Sequence, residues 1–134
     1  MDTDSRKEII RKYLDKSIQT WKEAEAAKQL CMWPMCANRM YYSLVNAMRA
    51  LLLADQHPVH THAGMKSAIG QFYVLTHELT VNESKLFSQM ETMREKADYD
   101  CFFDATEMDI REKFEPTKQL IDKVSAMVEK RLER

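Results

Sequence analysis

The chain has 134 residues, room for one domain, and it is read here as a single unit over 1–134. Apolar residues make up 45% and charged residues 31%, a globular balance, and with 2 Gly and 3 Pro the raw material for Gly-rich phosphate loops or a many-turned β-sandwich is missing. Twenty Lys and Arg against 21 Asp and Glu leave a net charge of −1, which removes a broad electrostatic footprint for nucleic acid; DNA is not expected, while a local site stays open. The longest apolar run, Ala50 to Ala54, is far short of the roughly 20 residues that cross a bilayer, so no membrane contact is expected. The Met-Asp-Thr-Asp start carries no apolar signal core, and Cys31, Cys36 and Cys101 form no even framework. Both features predict a cytoplasmic protein with reduced, partly buried thiols.

Periodicity makes the chain almost entirely helical. Ile10, Tyr13, Leu14, Ser17, Ile18, Trp21 and Ala24 recur at three- and four-residue steps and predict one face of a long first helix. Its other face carries Arg6, Lys7, Arg11, Lys12 and Lys16 against Glu8 and Asp15, a stripe read as solvated or as a match for another subunit's acidic block. Trp33-Pro34 marks a break, and Met32, Met35 and Met40 crowd it, either as core or as an adaptable partner surface. A second helix is predicted from about Pro34 to Ala54, with Tyr41, Leu44, Val45, Met48, Leu51 and Leu52 inward. Arg39, Tyr42, Asn46 and Arg49 share another of its faces, at spacings of 3, 4 and 3.

Pro58 interrupts the pattern. A short third helix is expected from Thr61 or His62 to about Tyr73, with Met65, Ala68, Ile69 and Phe72 inward. Asn82 is the expected N-cap of a fourth helix that buries Leu86, Met90, Met93 and Ala97. Asp98, Asp100, Asp104, Glu107 and Asp109 then form an acidic block free of Lys and Arg. Within it, Thr106 and Asp109 read as a capping box that opens a last helix, which Pro116 is expected to shorten or kink. The fold class that follows is all-α: an antiparallel up-and-down bundle of four to five helices, three long and two shorter.

The second helix and the acidic block together carry a resemblance. Asn38, Arg39, Tyr41 and Tyr42 with Ala47 to Leu52, then Thr61, His62 and Gly64, then Arg94, Ala97, Asp98, Tyr99, Asp100 and Phe103, resemble the HEPN domain (higher eukaryotes and prokaryotes nucleotide-binding), over roughly residues 5 to 130. The resemblance implies a four- or five-helix bundle, usually homodimeric, often paired with a minimal nucleotidyltransferase. It also implies that many members are metal-independent endoribonucleases of toxin–antitoxin or defence systems. Active members use an Arg and a His four to six residues apart. Metal-free RNA cleavage needs a proton acceptor for the 2′-hydroxyl and a cation for the developing phosphorane charge.

Here the pattern departs from the family twice. Asn46 stands seven positions after Arg39, where many relatives carry His, and Tyr99 follows Arg94 at the Arg-x4-His spacing. Neither Asn nor an ordinary Tyr, with pKa near ~10, exchanges protons readily at neutral pH. The chain is therefore expected to be a binding module. RNA or a nucleotide would meet Arg39, Tyr42, Asn46 and Arg49, or a partner protein such as the nucleotidyltransferase would dock, with no cofactor. Two alternatives stay open: an endoribonuclease drawing on Arg39, Arg94 and Tyr99 with an atypical proton acceptor, and a structural dimerisation domain. A structural role is equally open to Arg39, as an ion pair with Asp98. His57, His60 and His62 lack a fourth ligand and are read as a surface turn and a helix start, with His62 capping or packing the third helix. Cys31 and Cys36 are read as packing thiols.

Overall fold

The computed structural model describes residues 2–102 and 105–134; Phe103 and Asp104, both named above, lie outside the described residues. Five helices follow in order: α1 (Thr3–Gln29), α2 (Trp33–Ala54), α3 (His62–Ile69), α4 (Val81–Tyr99) and α5 (Glu107–Leu132). A π-helical turn, Gly70–Val74, continues α3. Only α3 is short, because α4 runs for 19 residues. No strand occurs among the described residues, and no helix is long and apolar enough to cross a membrane.

α2 is the hub. From Ser43 to Met48 every residue is buried, as a helix must be when neighbours cover it on all sides. α1 packs along its length, and α4 and α5 cover the remainder. Directions follow from three contacts: Asp98 at the end of α4 meets Asn38 at the start of α2, Arg11 near the start of α1 meets Glu129 near the end of α5, and Arg131 meets Asp55 at the C-cap of α2. Chain direction thus alternates through α1, α2, α4 and α5. Ser17 and Ser43 let α1 and α2 approach closely, each hydroxyl donating at 2.8 Å to the other's carbonyl. The basic face of α1 is partly met within the chain, by Glu8 and by the end of α5.

The ends of α1 and α2 are closed without glycine. Cys31 (φ 56°) and Gln56 (φ 59°) take the left-handed conformation after α1 and α2. The following N–H groups donate back in both cases, Met32 to Ala27 and His57 to Leu52, the six-to-one bond of a Schellman ending. Cys31 is therefore exposed in a turn rather than packed, whereas Cys36 is buried and its thiol donates to Ala24 O at 3.4 Å. Burial pushes the Cys36 thiol up to about 11, against the pull of the Lys28 ammonium. Met40 is core, while Met32 and Met35 face solvent.

Two boundary expectations change. Thr80, not Asn82, caps α4: its hydroxyl accepts from Glu83 N (3.0 Å) and the Glu83 carboxylate accepts from Thr80 N (2.8 Å). Counted from that cap, Phe87 and Arg94 turn inward, and Leu86 and Ala97 are only half-buried. α5 runs through Pro116 without a stop, and the proline lies beside a hollow of ≈570 Å³ where α4 and α5 pack sparsely. The Thr106–Asp109 capping box forms as read. Tyr73, absent from the anticipated core, is buried and donates to Asp55 at 2.8 Å, and Asp55 also receives Arg131 at 3.1 Å.

Candidate functional site

The N-terminal half of α2 and the C-terminal half of α4 run side by side, and their polar residues gather around Arg94. Its side chain is only 6% exposed, an expensive place for a charge. The compensation is loose. Asp98 Oδ2 stands at 3.8 Å, Glu95 Oε1 at 3.9 Å, and Nε has no hydrogen-bond acceptor. Three tyrosine rings surround the guanidinium instead, with centroids 5.2 Å (Tyr41), 5.6 Å (Tyr42) and 5.9 Å (Tyr99) from Cζ. Tyr99, at the spacing where active relatives carry His, is thus a largely exposed ring beside Arg94.

Arg39 does not pair with Asp98. Its Nη1 donates to Glu23 on α1 at 3.1 Å, and its Nε and Nη2 donate to Asn38 Oδ1 at 2.9 and 2.6 Å. Asn38 Nδ2 then donates to Asp98 Oδ2 at 3.0 Å. The amide therefore stands between the two charges and satisfies both, while Glu23, which lies across the helix pair, takes the ionic contact. Arg39 Cζ also lies 5.7 Å from the Tyr42 ring, which joins this chain to the Arg94 cluster. Glu23, Pro34, Met35, Asn38, Arg39 and Asp98 line an open hollow of ≈520 Å³ beside it.

Tyr41 is fully buried, and its hydroxyl shares a hydrogen bond with His62 Nδ1, the direction set by the imidazole tautomer. Burial, reinforced by the Glu91 carboxylate, pushes the Tyr41 hydroxyl far above its ordinary range, and Arg94 opposes that shift. The His62 ring stacks against Tyr41 and meets Tyr42 edge-on, 6.2 Å between centroids. Thr61, not His62, caps α3 by accepting from Gly64 N; this leaves the imidazole free to turn back onto α2. Sequence periodicity placed Tyr41 in the core stripe and His62 at a helix start, and nothing local in either pattern joins them.

The remainder of the anticipated stripe divides. Asn46 is 4% exposed and its Nδ2 donates to Tyr42 O of its own helix, so it stiffens α2 rather than presenting an amide outward. Arg49 lies farther along α2, beside Tyr13 and His60, away from Arg39. The three loop histidines diverge, since His57 stacks on Phe72 (3.7 Å between centroids). Among the described residues no group of three or more His, Cys, Asp or Glu gathers as a metal site. The acidic block is taken up by caps and turns at Asp100 and Asp109 and by the Glu107–Arg111 pair.

The sequence profile of the HEPN domain matches residues 10–130, which include every residue of this cluster. A Methanocaldococcus jannaschii protein named "Putative toxin MJ0142" is 24% identical over 95 residues, 71% of this chain and 65% of that protein, so the chain spans just under two thirds of its length. A Thermotoga maritima "UPF0332 protein" is 25% identical over 92 residues, 69% of this chain and 70% of that one.

Proposed function

The chain belongs to the HEPN domain family, and from that membership together with the Arg94 cluster we propose that it is an RNA- or nucleotide-binding module of toxin-like type. One observation carries the reading: a nearly buried guanidinium whose carboxylates stand at almost 4 Å and whose Nε is unmet, set among aromatic rings. A phosphate at the mouth of the cluster, beside the exposed Tyr99, would add acceptor oxygens near this charge, and the half-buried Tyr42 offers a face on which a base can stack. Arg39 lies at the rim, beside the open hollow. Exposed apolar side chains gather near the same pole of the bundle, Met32 and Met35 at the α1–α2 turn, Tyr99 and Phe102 after α4, and Met108 at the start of α5. They support a protein partner there, a second copy or the minimal nucleotidyltransferase that the family implies.

A specific contact keeps a second reading in play, a metal-independent endoribonuclease. His62, through Tyr41, brings an imidazole to the aromatic wall on which Arg94 rests. The two readings separate when the protein is incubated with single-stranded RNA in EDTA and both binding and cleavage are followed. Binding without cleavage, lost in Arg94→Met, supports the module. Cleavage abolished in both His62→Gln and Arg94→Met, each still folded, supports the enzyme. RNA binding that survives Arg94→Met would overturn both.

A further inference from the structure

The far end of the α2 stripe presents a separate feature. Arg49 is half-buried, and no described residue meets its guanidinium with a hydrogen bond or an ion pair. It lines a hollow of ≈130 Å³ together with Tyr13 of α1 and His60 of the loop before α3; Leu52, Leu53 and Val59 are among the apolar walls. Three separate elements thus bring Arg49, Tyr13 and His60 to the same small space, and among the described residues no carboxylate lines it.

The loop that carries His60 is held in place before any ligand arrives. His57 N donates to Leu52 O at 2.7 Å, and the His57 ring lies flat on Phe72, 3.7 Å between centroids with planes 2° apart. Val59 packs against the core. A positive fork with no counter-charge among the described residues, walled by apolar carbon that strengthens electrostatic attraction, selects an anion with several acceptor oxygens. The volume is that of about four water molecules, room for one tetrahedral phosphoryl group.

We propose that Arg49, His60 and Tyr13 form a phosphoryl-binding site distinct from the Arg94 cluster. Ten residues of α2 separate Arg39 from Arg49, about 15 Å along the helix axis, so the two sites are independently testable.

The test is a titration of the full chain with inorganic phosphate at constant ionic strength, with chloride as control, followed by amide chemical shifts. Saturable shifts at Tyr13, Arg49 and the 57–61 loop are expected, with a midpoint read from these residues alone. Arg49→Gln should weaken the phosphate affinity read there at least tenfold, and His60→Gln and Tyr13→Phe several-fold each. If Arg49→Gln does not fold, Arg49→Lys keeps the charge and removes the fork, and a tenfold loss is expected there too. Shifts that fail to saturate or that follow the α1 lysines overturn the proposal, as does unchanged affinity in either folded Arg49 variant. Competition then identifies the source. Displacement by uridine 5′-monophosphate alone assigns the site to a free phosphomonoester, and displacement by an RNA oligomer lacking terminal phosphates assigns it to the RNA backbone. Displacement by neither overturns the phosphoryl assignment.

Discussion

Replacing Arg94 with methionine separates what the bundle needs from what a ligand needs. The residue is 5% exposed, its carboxylate neighbours stand 3.8 and 3.9 Å away, and Nε has no acceptor. An unmade buried donor costs about 1–3 kcal/mol, and taking the charge out of water costs several more. Opposing these are the contacts with Tyr41 and Tyr42, about 0.5–2 kcal/mol each, and the attraction of the two distant carboxylates. The terms nearly cancel. Methionine keeps the apolar stem and places a sulfur against the same rings, so stability is expected to change by less than about 1 kcal/mol in either direction. For a domain of this length the melting temperature then moves by no more than about 5 °C. Thermal unfolding followed by circular dichroism reads that number, and RNA affinity at low salt is expected to fall at least tenfold. A loss of about 10 °C or more would show that the buried charge holds the bundle together, and unchanged RNA affinity in the folded variant would remove Arg94 from the binding site.

Three further outcomes follow from the helix ends and the ionic contacts. Gln56→Gly, at φ 59°, should stabilise the chain by about 1 kcal/mol because glycine has no Cβ to strain there; a lower denaturation midpoint would contradict the Schellman ending. Arg131, 11% exposed in its side chain, joins Asp55 and Glu78 to the end of α5, and Arg131→Ala should cost about 3 kcal/mol in urea unfolding; a loss under about 0.5 kcal/mol would show the network to be solvated. At Glu83, burial raises the carboxyl pKa but is outweighed by the Lys123 ammonium and the Thr80 N–H, so the folded value lies below the ordinary one. The stabilisation is therefore complete above about pH 4.3 and fades as pH falls through the depressed value. The difference between the natural chain and Glu83→Gln should shrink below that pH, and a constant difference would refute the capping role.

The residue pattern alone carried the all-α class, the inward face of α2, that of α1 except for Ile18, which is 58% exposed, and the capping box at Thr106, because each depends on residues within a turn or two of one another. At the start of α4 the reciprocal hydrogen bonds of Thr80 and Glu83 set the cap, and the packing of α4 on α2 turned Phe87 and Arg94 inward. Pro116 shows the opposite case: a residue that disfavours helix interiors is carried through inside α5.

The site was legible in its cast and not in its contacts. Arg39, Tyr42, Arg94, Tyr99 and Asp98 do assemble, but the partner of Arg39 is Glu23 on another helix, and Asn38 stands where a direct Arg39–Asp98 pair was expected. His62 reaches Tyr41 across 21 positions of sequence, and His60 joins Arg49 and Tyr13 from three separate elements. Sequence spacing fixes which side chains share one helix face, since 3.6 residues make a turn. Which faces meet, and at what rotation, is decided by the packing of α1, α4 and α5 around α2; only that packing could bury one arginine, pair another and leave a third with no counter-charge among the described residues.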